Sequence, residues 1–80
     1  MDARFRSIAA IAATQHSVVS LRQLSDAGVT ASMRSRWVST GALQRLGSRS
    51  FLVEGAALTW RARLTADWFD QRGERHLGAR

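Results

Sequence analysis

Between Ser20 and Gly41 the chain carries two helix starts and two helix stops, in so short a span that only two short helices joined by a tight turn fit it. Ser20-Leu21-Arg22-Gln23 reads as a capping box, in which the serine side chain accepts from the Gln23 amide and the Gln23 side chain accepts from the Ser20 amide. Gly28 follows Ala27 where a left-handed cap belongs, leaving about two turns with Leu21 and Leu24 facing inward. Val29 then enters the core, Thr30 caps the next helix, and Gly41 ends it after Thr40.

The flanking segments supply the rest of a small domain. From Asp2 to about Gln15, Phe5, Ile8, Ala9 and Ala12 follow the i, i+3, i+4, i+7 spacing of one helical face, widened by Ile11. Val18-Val19 is a β-branched pair suited to a very short strand or to a core plug, and His16 before it reads as a polar cap. After Gly41, Leu43-Leu46 and Ser50-Val53 flank Gly47-Ser48, a pair favoured in a type II′ turn. That turn would set Leu46 against Arg49, Arg45 against Ser50 and Leu43 against Leu52. Thr59 caps a fourth helix to about Arg72, in which Trp60, Leu64 and Trp68 recur every four residues beside Phe69. Packing against the three-helix core is the expected use of that aromatic stripe.

The predicted fold class is therefore mainly α with a small β-hairpin: a winged helix-turn-helix with a three-helix core, a short wing and an additional C-terminal helix. Residues 1–72 form the expected domain, with 73–80 a flexible tail or the start of a linker. At roughly 1.5 kcal/mol of ordering cost per residue, a chain of 80 residues is marginal unless its core is well filled or a neighbour completes it.

Charge narrows the function. The net charge is +6, all twelve basic residues are arginine, and no acidic residue stands between Asp26 and Glu54. Arg34, Arg36, Arg45 and Arg49 all fall in that stretch. On the third helix Met33, Trp37 and Val38 would face the core, while Ser32, Ser35, Arg36 and Ser39 form a second, small and polar stripe. Small hydroxyl side chains allow close approach to a groove, and an arginine can hold guanine or phosphate. The expected partner is double-stranded DNA, with Thr30, Ser32, Arg34, Ser35, Arg36 and Ser39 on the reading helix and Arg45 and Arg49 on the wing. The alternative is protein association through Trp60, Leu64 and Trp68, either in a homodimer or against a C-terminal partner domain.

Other chemistry finds little support. Cysteine is absent, which excludes disulfides, thiolate catalysis and cysteine-based zinc sites. The serines lack His and carboxylate partners at a recognisable spacing and no phosphate-cradling Gly-rich loop is present, so no enzyme, cofactor or metal site is expected. Asp67, Asp70 and Glu74, with His76 behind them, read as a solvated acidic face. No apolar run approaches the roughly 18 residues of a membrane span, and a cytoplasmic location is expected.

The run Ile8-Ala9-Ala10-Ile11-Ala12-Ala13-Thr14-Gln15-His16, then Val18-Val19-Ser20 and Gln23-Leu24, resembles the opening of AbiEi-type antitoxin N-terminal domains from actinobacteria. Gly28-Val29-Thr30, Arg36-Trp37-Val38, Gly41-Ala42-Leu43, Arg45-Leu46, Phe51-Leu52-Val53 and Thr59 to Leu64 continue the resemblance in order, over roughly residues 5 to 68. The resemblance implies a winged-helix DNA-binding module of a type IV toxin–antitoxin system that binds operator repeats and represses its own promoter. Family members continue into a larger C-terminal domain associated with neutralising the toxin. A cognate toxin is thus a possible partner, but its contact does not carry over to these residues.

Overall fold

The computed structural model describes residues 3–78, and their side chains as far as residue 71. Its elements run α1 (Ala3–Ala13), β1 (Val18–Ser20), α2 (Leu21–Asp26), α3 (Ala31–Thr40), β2 (Leu43–Arg45), β3 (Ser50–Val53) and α4 (Trp60–Gly78). The architecture is mainly α-helical with a small three-stranded antiparallel sheet and an extra C-terminal helix, and is winged-helix-turn-helix-like. Asp2 lies outside the described residues.

The local signals form as their chemistry predicts. Ser20 and Gln23 make both halves of the capping box, each at 3.0 Å. The Gln23 side chain also exchanges two amide hydrogen bonds with Gln15, which ties the end of α1 to the start of α2. Gly28 adopts φ +88°, the Val29 amide donates to the Leu24 carbonyl and the Gly28 amide to that of Ser25, so α2 ends in a Schellman motif. Thr30 accepts from the Met33 amide and starts α3, and Gly41 at φ +89° stops it. His16 and Ser17 also take positive φ, in the turn that leads α1 into β1.

Val18-Val19 is a strand rather than a plug. The sheet order is β1-β3-β2, with Val18 opposite Leu52 and Val19 opposite Phe51. Because successive side chains on a strand point to opposite faces, this short sheet is covered on both. Val19, Leu43 and Phe51 pack with Phe5, Ile8, Ala12, Leu24 and Val29 in the core under α1, α2 and α3. Val18 and Leu52 face the other way and pack with Ala62, Ala66 and Phe69 of α4.

Two expectations are corrected here. The hairpin pairs Leu43 with Val53 and Arg45 with Phe51, one residue away from the two-residue-turn register. The Leu46 amide donates to the Ser50 carbonyl, so the loop holds Gly47, Ser48 and Arg49. Arg49 is anchored from outside the hairpin: its amide donates to Asp70 of α4 at 2.8 Å and its carbonyl accepts from the Leu21 amide at 2.9 Å. A one-residue slip changes which side chains share a face, and it moves Leu43 and Arg45 to the side of Phe51, toward α3.

The second correction concerns α4. Trp60, Leu64 and Trp68 do not pack against the three-helix core; they are 65%, 57% and 55% exposed. The docked side is Ala62, Ala66 and Phe69, at i, i+4, i+7, against β1 and β3. Small side chains let the helix axis approach the sheet closely, and two bulky indoles on that side would hold it away. The helix also extends to Gly78, beyond the end expected at about Arg72.

Gly47 is required by the same contact, because a Cβ at that position would overlap the Asp70 carboxylate. Gly47→Ala should therefore displace Asp70 from the Arg49 amide and cost about 1–2 kcal/mol, the scale of a hydrogen bond to a charged acceptor. In an Asp70→Ala background the same substitution should cost under about 0.5 kcal/mol, since a double-mutant cycle isolates the shared interaction. Urea unfolding of the four proteins measures both.

Candidate functional site

No side chain of α3 is buried. Met33, Trp37 and Val38 are half-buried against the first core, and Trp37 sets its ring edge-on to Phe5 with centroids 5.2 Å apart. Ser32, Ser35, Arg36 and Ser39 are exposed. The two-faced pattern of the sequence is thus realised, and α3 presents its small polar stripe outward. Thr30, at the start of that helix, already uses its hydroxyl oxygen as the cap.

Beside the stripe, α3 and β2 enclose a groove of about 320 Å³, lined by Arg34, Ser35, Val38, Ser39 and Arg45. Arg34 is half-buried along its edge, which fits an arginine whose stem lies on apolar surface while its head reaches the groove. Arg45 comes from the opposite wall. Its guanidinium lies 4.9 Å from the Phe51 ring centroid, and Nη1 donates to the Gly47 carbonyl at 3.2 Å and more weakly to that of Ser48 at 3.5 Å. Arg45 therefore shapes the wing as well as charging it. A guanidinium has five N–H donors, so one engaged nitrogen does not exhaust its capacity for an anion.

Of the residues expected to meet DNA, Arg34, Ser35, Ser39 and Arg45 share this groove, while Ser32 and Arg36 continue the exposed stripe. Arg49 does not line the groove; its backbone is fixed, the amide donating to Asp70 and the carbonyl accepting from the Leu21 amide. The Asp70 contact is the feature that sequence reasoning missed, since a carboxylate on a solvated helix face carries no mark of a partner 21 positions away.

The second surface is the outer side of α4. Trp60, Leu64 and Trp68 stand exposed in one row, with Leu58 near its start at 41% exposure. Arg61 lays its guanidinium 4.5 Å from the Trp60 ring centroid, and Trp68 meets Phe69 edge-on at 5.6 Å. Among the described residues no group of three or more His, Cys, Asp or Glu side chains is placed to hold a metal ion. Glu74 and His76 lie outside the described side chains. No helix among the described residues is long and apolar enough to cross a membrane.

Arg45 and Arg36 should separate in a stability assay. Arg45→Ala removes the ring contact and the bonds across the wing turn, and should cost about 1 kcal/mol. Arg36→Ala, on the exposed stripe, should stay within about 0.5 kcal/mol of the parent; urea midpoints of both variants decide it. No protein-family model matches the chain, and no curated protein or solved structure does either.

Proposed function

We propose that this chain is a protein-association module carried on a winged-helix-like frame, with the outer face of α4 as its contact surface. The observation that carries this reading is the division of α4 into two apolar sides. Ala62, Ala66 and Phe69 dock the helix on the sheet, while Trp60, Leu64 and Trp68 stay more than half exposed. Contiguous exposed apolar side chains at this spacing mark interaction surfaces, and tryptophan is the residue most enriched where binding energy concentrates. Leaving two indoles more than half exposed costs the free chain solubility.

A second reading is favoured by a separate observation, the groove in which Arg34 and Arg45 converge beside Ser35 and Ser39. With a net charge of +6 and an outward polar stripe on α3, it supports binding of double-stranded DNA. Arg34 and Arg36 would then contact base edges, Ser32, Ser35 and Ser39 bases or phosphates, and Arg45 and Arg49 the flanking backbone. The resemblance to AbiEi-type N-terminal domains gives this reading its finer form: an antitoxin-like regulator at its own promoter, with a cognate toxin in the same system. The two readings use different surfaces and are compatible.

Leu64→Glu is the test of the first reading. Immobilised parent chain should retain a protein that the variant loses, with helicity unchanged by circular dichroism; identical retention by both ends the association reading. For the second, fluorescence anisotropy on the duplex upstream of the chain's own gene should show binding that falls steeply with salt, at about 0.9 log units per phosphate contact. Arg36→Ala should weaken it by about tenfold or more. A flat salt dependence, or an Arg36→Ala variant as tight as the parent, ends the DNA reading.

A further inference from the structure

Resting on the association reading, we propose that the partner on α4 is a second copy of this chain, paired antiparallel about a two-fold axis beside Leu64. A closed homodimer needs a patch that is complementary to itself. Trp60, Leu64 and Trp68 meet that condition, because the row read in either direction from Leu64 is the same: an indole four residues away on each side. At 3.6 residues per turn, Leu64 projects opposite the mean direction of Ala62, Ala66 and Phe69, which face the sheet. Among the described residues, the sheet thus lies behind the helix, and Leu64 and the two indoles are more than half exposed on its outer side.

The charges beside the row select the orientation. On the same helical wheel Arg63 and Asp67, both exposed, lie on one flank of the row, and Arg61 lies on the other. In an antiparallel two-fold pair each flank meets the same flank of its mate with direction reversed. Asp67 of one copy then comes beside Arg63 of the second, twice over, and Arg61 comes beside Trp68 of the second copy. Arg61 already lies against an indole within its own chain, at 4.5 Å from Trp60. In a parallel pair the flanks exchange, and Arg61 is set against Arg63. The two copies' Arg63 also come beside each other at the same axial offset, so the antiparallel flank sets two Asp67–Arg63 attractions against one Arg63–Arg63 repulsion, whereas the parallel pair sets Arg61 against Arg63 twice without that compensation.

Size sets the strength. A tryptophan buries about 150–250 Å² when fully covered, and these two are just over half exposed. The row offers a few hundred Å² per copy, at or below the low end of specific interfaces, so the pairing belongs in the micromolar range. Exposed ion pairs contribute little to affinity; their role here is to choose direction.

Sedimentation of the 80-residue chain from about 1 to about 500 μM, the range that brackets such affinities, is the test. A reversible monomer–dimer equilibrium is expected, with tryptophan emission moving to the blue as dimer forms. Leu64→Glu should remain monomeric throughout with its circular dichroism unchanged. Arg63→Asp and Asp67→Arg should each weaken pairing several-fold, and an equimolar mixture of the two should pair more tightly than either alone. That last result cannot arise from the contact of residues 63 and 67 within one chain. A parent that stays monomeric, a dimer indifferent to Leu64→Glu, a mixture no tighter than its components, or binding of the monomer to anionic lipid vesicles overturns the proposal. If the parent is monomeric yet still retains another protein through Leu64, self-pairing alone fails; if it does neither, the association reading fails with it.

Discussion

Everything in this domain hangs on β3. It is the central strand of the sheet, and its side chains alternate between two packing environments: Phe51 is fully buried with α1 and the helix-turn-helix, and Leu52 is buried against α4. Strands of three or four residues have little stability of their own. What holds them is that β1 and β3 are covered from both sides, so the apolar burial of two small cores acts on one backbone ladder.

The wing illustrates how far that dependence reaches. β2 pairs with β3, α3 packs on β2, and the loop between the strands is fixed by Asp70 from the opposite side of the sheet. Asp70 and Leu21 thereby anchor the hairpin loop, and its register places Arg45 on the side of Phe51 and the groove beside α3. The two surfaces that carry the functional readings are therefore built by one packing solution, although they lie on different elements.

Much of this was legible in the chain because the signals are local. The capping box at Ser20 and Gln23, the Gly28 and Gly41 stops, and the Thr30 and Thr59 caps each involve atoms within a few residues of one another. The outward stripe of Ser32, Ser35, Arg36 and Ser39 was equally legible, since helical periodicity alone separates it from Met33 and Trp37. The errors arose where two local patterns competed. On α4 the bulky row and the small row both have helical spacing, and hydrophobicity favours the bulky one as the core-facing side. The available depth above the sheet favours the small one, and depth is a property of the assembled layers.

The hairpin makes the same point from the other direction. Gly47-Ser48 is compatible with a two-residue turn, and nothing within the hairpin disfavours it. Local chemistry by itself determined the order of helices and strands, their caps and stops, and the cationic bias of the first half of the chain, because those depend on neighbours in sequence. Register, the docked side of α4 and the exposure of Trp60, Leu64 and Trp68 were decided only by tertiary structure, because each depends on what a distant segment covers and how closely it can approach.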